Sequence, residues 1–162
     1  MQLVFKAASG AQFASAKANM YGQELFRLSK EHDGLTPETV VKEARNIKSP
    51  LHECFEWDDG MAAGYWRIHQ ARQILNHFLI VKKVNGEDRE IKAFFNVNIE
   101  DSTNGKSRYM TVFSIAESAD FRGQVLKGAL EEIKSWRQRY DEYKELGLIF
   151  GAIEETQRKL KL

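Results

Sequence analysis

The amino-acid sequence predicts an α+β fold on three observations. Apolar residues recur at helical spacing between residues 16 and 76, β-forming runs flank an Asn-Gly pair at 85 and 86, and an amphipathic stripe begins at Ser118. A single domain over residues 1–162 is expected, with a helical region at 16–76, an antiparallel sheet at 77–115 and a C-terminal helical segment at 118–162.

Met1 to Lys6 alternates like a short strand, and Ala7 to Ser15 is a small-residue loop. Ala18, Tyr21, Leu25 and Leu28 then mark a helix from Ala16 to Glu31, which His32-Asp33-Gly34 stops. Thr36 followed by Pro37 is an N-cap with proline at the first helical position, where a missing N–H costs nothing, and it opens a short helix to Asn46. Ser49-Pro50 repeats the signal for one turn through Leu51, His52 and Cys54. Asp58 or Asp59 then caps a third helix ending at Asn76. Two capped helices joined by a helical turn form a helix-turn-helix-like arrangement, although the connection is longer than the standard tight turn.

On a helical wheel the third helix places Met61, Tyr65, Ile68, Ala71 and Leu75 on an apolar arc and Ala63, Arg67, Gln70 and Gln73 opposite, beside Trp66. Arg72 falls inside the apolar arc, so a buried ion pair with Glu56, Asp58 or Asp59 is expected.

His77 to Val84 is rich in β-formers, Asn85-Gly86 signals a two-residue hairpin, and Glu87 to Ile99 returns as the second strand. Its alternation puts Ile91, Ala93, Phe95 and Val97 on one face and Glu90, Lys92, Phe94, Asn96 and Asn98 on the other. After a polar loop at Glu100 to Lys106, with a second Asn-Gly at 104 and 105, Arg108 to Ile115 supplies a third strand and completes a meander. From Phe121 to Tyr143 the stripe of Val125, Ala129, Ile133, Trp136 and Tyr140 defines a long amphipathic helix, with a bend or break expected at Gly147. The stripe either lies across the sheet or holds a homodimer together.

Composition excludes several classes. A chain that is 43% hydrophobic and 29% charged is not disordered, and the absence of an apolar run of roughly 20 residues or of a signal peptide predicts a cytoplasmic protein without membrane contact. The one cysteine, Cys54, forms no internal disulfide. His52, Cys54, His69 and His77 fit no compact zinc template, so no metal is expected. Asp58 or Asp59 with Glu90-Ile91-Lys92 echoes a metal-dependent nuclease, but alternating charges on a hairpin strand produce the same pattern by default. With no phosphate loop, nucleophile elbow or Ser/His/Asp order, the expectation is a protein that is not an enzyme, with no catalytic residues and no cofactor.

The segments LTPETVVKEAR, SPLHECFEWDD, AAGYWRIHQAR and FRGQVLKGALEEIKSWRQRYDEYKEL resemble a family of small, mostly uncharacterised bacteriophage and prophage proteins sharing SPLH, FEWDD and R-x-x-QAR patterns. That resemblance covers most of the chain and implies a phage origin and the host cytoplasm. It marks Pro50, His52, Phe55, Trp57, Asp58, Asp59, Arg67, Gln70 and Arg72.

The function expected is DNA binding in a regulatory or accessory role. Arg67, Gln70 and Gln73 beside Trp66 are side chains suited to base edges in a major groove, and Lys42, Lys48, Lys82 and Lys83 are suited to phosphates. Against it, Thr36 to Asn76 carries five basic and six acidic residues, a balance that predicts weak affinity for a polyanion. The alternative is an adaptor that binds a phage or host protein through exposed Trp66, Tyr65 or Phe94.

Overall fold

The computed structural model describes residues 3–57, 61–99 and 107–160. The expected caps Asp58 and Asp59, the start of the first strand at Met1, the side chain of Met61 and the Asn-Gly pair at 104 and 105 lie outside the described residues. The fold is α+β, and the chain divides into two compact units, Met1–Glu117 and Ser118–Leu162, at the boundary expected for the C-terminal helical segment.

In the first unit, β1 (Phe5–Ala7) precedes α1 (Ala18–Glu31), which buries the expected stripe of Ala18, Tyr21, Leu25 and Leu28. The α1 helix stops as its sequence dictates. Asp33 and Gly34 take φ of 51° and 100°, and the Gly34 N–H closes on the Ser29 carbonyl at 2.8 Å. Helix α2 (Pro37–Ala44) starts at Thr36, whose hydroxyl accepts from the Thr39 N–H at 3.1 Å. A 3₁₀ turn at Pro50–Cys54 leads to α3 (Met61–Asn76).

The sheet differs from the expected meander in membership. A three-stranded antiparallel sheet exists, but its order is β1, β2 (Phe78–Val84), β3 (Glu87–Lys92), so the N-terminal strand fills the third place. The Asn85-Gly86 turn joins β2 and β3 with both residues at positive φ, 53° and 84°, as a primed hairpin turn requires. What reads as one strand from Glu87 to Ile99 breaks at Ala93. That residue donates its N–H to Phe78 at 3.0 Å and accepts at its carbonyl from Val112 at 2.9 Å, passing the chain from one ladder to another. Beyond it, β4 (Phe94–Asn98) pairs among the described residues with β5 (Ser107–Thr111); Val97 is buried and Asn96 and Asn98 are exposed as expected, but Phe94 is fully buried as well. Phe94 is therefore no exposed interface aromatic.

The expected third strand also ends early. Thr111 accepts from the Ser114 N–H at 3.2 Å and starts α4 (Val112–Glu117). The core beneath these elements gathers Phe5, Tyr21, Leu25, Leu28, Leu75 and Phe78 with their neighbours.

In the second unit, Ser118 caps α5 (Ala119–Arg139) at the Phe121 N–H, 3.2 Å away. The helix breaks before Gly147, at Tyr140–Tyr143, and α6 (Gly147–Leu160) begins at that glycine. Folding α6 back on α5 buries Phe150 against Trp136, with ring centroids 6.0 Å apart, and pairs Arg137 with Glu154 at 2.7 Å. One long helix would leave that apolar surface in water.

Candidate interface on the third helix

The outward face of α3 is set by the turn that precedes it. Ser49 and Pro50 start the 3₁₀ turn, with the Ser49 hydroxyl accepting from the Leu51 N–H at 3.3 Å. Leu51 and Phe55 are driven into the core. His52 then donates its Nδ1–H to the Ala44 carbonyl at 2.9 Å, satisfying an acceptor at the last turn of α2 that the helix leaves open. The same residue accepts at its backbone carbonyl from Trp57 Nε1 at 2.8 Å, and the two rings stack with centroids 5.0 Å apart at 9°. His52 and Trp57 therefore act as a clasp between α2 and the chain entering α3.

Arg67 completes that clasp. Its Nε donates to the Glu56 carbonyl at 2.7 Å, its guanidinium lies 5.1 Å from the centre of the Trp57 ring, and the residue is 4% exposed. The expected arc keeps Ala71 and Leu75 inside and Ile68 against the core, but Arg67 goes in and Tyr65 comes out. The wheel treated arginine as solvent-facing, but a planar guanidinium that has a carbonyl acceptor and an aromatic face can be buried along its apolar stem. Ala71, Ile74 and Leu75 follow Arg67 inward, and the Gln70 Oε1 is buried without a hydrogen-bond partner. Arg72, expected inside in an ion pair, is exposed.

The face that α3 does present consists of Tyr65, His69, Arg72 and Asn76 at spacings of four, three and four, flanked by Trp66 and half-buried Gln73. Tyr65 is 86% exposed and Trp66 50%, with the Trp66 ring stacked on His69 at 5.3 Å. The Gln73 carbonyl is taken by His77 Nδ1–H at 2.7 Å, which closes the end of the helix. Of the residues expected to read DNA, the structure thus brings Trp66 and Gln73 to this surface and withdraws Arg67 and Gln70. Lys42, Lys48, Lys82 and Lys83 are exposed, the first on α2, the second in the loop after it, and the last two on β2. Sequence reasoning missed Arg72 as a surface residue. The spacing of Tyr65, His69, Arg72 and Asn76 was the available signal, overridden by counting Tyr65 as apolar and Arg67 as exposed.

A polar cluster sits on the other side of the turn. Glu53 accepts from Lys17 Nζ at 2.6 Å and from the Tyr21 hydroxyl at 2.8 Å, and the Lys17 ammonium holds its carboxyl below the usual range. Burial pushes the Cys54 thiol up to about 11 and raises the Tyr21 phenol, so neither is activated as a nucleophile. The nuclease-like pair is also engaged elsewhere, since Glu90 bridges to Lys6 at 2.9 Å and the Lys92 ammonium lies over the Phe95 ring. Among the described residues no group of three or more His, Cys, Asp or Glu is placed to hold a metal ion, and no helix is long and apolar enough to cross a membrane. No protein-family model, curated protein or solved structure matches this chain.

Proposed function

We propose that the chain is a non-enzymatic adaptor of phage type that binds a phage or host protein through the outward face of α3. The observation that carries this reading is the pair Tyr65 and Trp66, two large aromatics side by side on a rigid helix and open to solvent. Such rings supply much contact area at low entropic cost, and they are enriched at protein interfaces. The slight acidic excess of the segment, five basic against six acidic residues, supports the same choice, because steering to a polyanion needs a surplus of cations that Thr36 to Asn76 lacks.

DNA binding stands as the second reading, favoured by Trp66, Gln73 and Arg72 lying along the outward side of one helix. It loses the bidentate pair Arg67 and Gln70, so base recognition would fall to Gln73 and Arg72. The discriminating experiment uses the Tyr65→Ser/Trp66→Ser double variant, whose changes lie on the surface. Affinity capture from host lysate should yield a stoichiometric protein with wild type and lose it with the variant, while duplex DNA at low salt is not shifted. A duplex shifted by wild type and released by the variant would overturn the adaptor reading in favour of DNA.

A further inference from the structure

We propose that a cleft of about 390 Å³ between the start of α2, the second half of α3 and one face of the β4–β5 ribbon binds a small zwitterion of the amino-acid class. The cleft is built by register. Asn96 and Tyr109 are directly opposed across the ladder, and Ser107 lies two residues from Tyr109, so all three share one face. All three line the cleft, which therefore sits on that face. The first turn of α2 is pinned above it, because Leu35, one residue before the Thr36 cap, exchanges both backbone hydrogen bonds with Tyr109 at 2.6 and 2.9 Å.

Two unlike charges face this space. Arg72 enters from α3 and Glu38 from the first turn of α2, and among the described residues neither has an ion-pair partner. At the floor lies Tyr109, 6% exposed as a residue, whose hydroxyl keeps access to solvent and hydrogen-bonds to no described residue, so it can meet a ligand. An inorganic anion would satisfy Arg72 alone and meet repulsion from Glu38, and a cation would do the reverse. An apolar ligand would leave the polar groups unpaired. A ligand with a carboxylate for Arg72, an ammonium for Glu38 and oxygen atoms for the Tyr109 hydroxyl and Asn96 amide answers these four groups at once. The volume suits a molecule of that size.

The test is nitrogen-edited NMR of the Arg72 and Asn96 side-chain resonances during titration with L-alanine and L-glutamine, beside acetate and methylammonium, which each carry one of the two charges. A zwitterion should move these resonances and bind at least about tenfold more tightly than either half-ligand. Arg72→Gln should weaken it by about tenfold or more, Tyr109→Phe should weaken it while leaving the fold intact, and Glu38→Gln should erase the preference over acetate. If neither amino acid moves the resonances, or if binding survives Arg72→Gln, the proposal is wrong. The Tyr65→Ser/Trp66→Ser variant should bind the zwitterion like wild type, which separates this site from the adaptor face.

Discussion

Arg67→Ala and Arg72→Ala should have opposite consequences from those a helical wheel implies. Truncating Arg67 removes a hydrogen bond from a charged donor to the Glu56 carbonyl, worth about 1.5–3 kcal/mol. The cation over the Trp57 ring adds about 0.5–2 kcal/mol. The two together predict a loss of about 2–5 kcal/mol, a large share of the roughly 5–15 kcal/mol that holds a domain folded. Arg72 is exposed and unpaired among the described residues, so its truncation should stay within about 0.5 kcal/mol of wild type. Urea unfolding followed by tryptophan fluorescence measures both, because Trp57 sits against the lost guanidinium and its emission should change in the folded baseline of Arg67→Ala alone. An Arg67→Ala protein as stable as wild type, or an order of effects with Arg72 the costlier, would refute the assignment of Arg67 to the interior.

Three further outcomes follow from the geometry. The Cys54 thiol, raised by burial to about 11 from an ordinary value of about 8.5, contributes stability that is complete below the ordinary value and lost as pH rises through 11, so the urea midpoint of wild type should fall across that window and that of Cys54→Ala should fall less. Gly22→Ala would place a methyl group on the Phe5 ring, and the overpacking should outweigh the gain in helix propensity to leave a loss of about 1–2 kcal/mol in the same unfolding assay. Leu126 and Ile133 on α5 and Tyr140 at its C-terminal cap are exposed at seven-residue spacing, so light scattering should report about twice 18.7 kDa for wild type and the monomer mass for Ile133→Glu, while a monomeric wild type at high concentration would remove the homodimer.

Local chemistry made much of the fold legible. Thr36-Pro37, Ser49-Pro50 and Ser118 cap where their side chains can reach an open N–H, Asn85-Gly86 turns where positive φ is needed, and Gly34 ends α1 for the same reason. These signals act within four residues, so the sequence alone carries them. The α1 stripe was equally plain, because Ala18, Leu25 and Leu28 are apolar and Tyr21 buries its ring beside them while its hydroxyl reaches Glu53.

What only the tertiary structure decided are features that depend on a distant partner. Glu87 to Ile99 reads as one strand, yet Ala93 splits it by bonding to Phe78 on one side and Val112 on the other, contacts that no alternation pattern contains. The break at Tyr140–Tyr143 arises because Phe150 finds Trp136, not because a glycine intervenes. The phase of α3 was the costliest ambiguity, since arginine, tyrosine and tryptophan each combine an apolar body with a polar end and can face either way. The sequence determined that this helix has two faces. The clasp of His52, Trp57 and the Glu56 carbonyl, assembled ten or more residues upstream, decided that Arg67 goes in and that Tyr65, Trp66 and Arg72 are left in solvent.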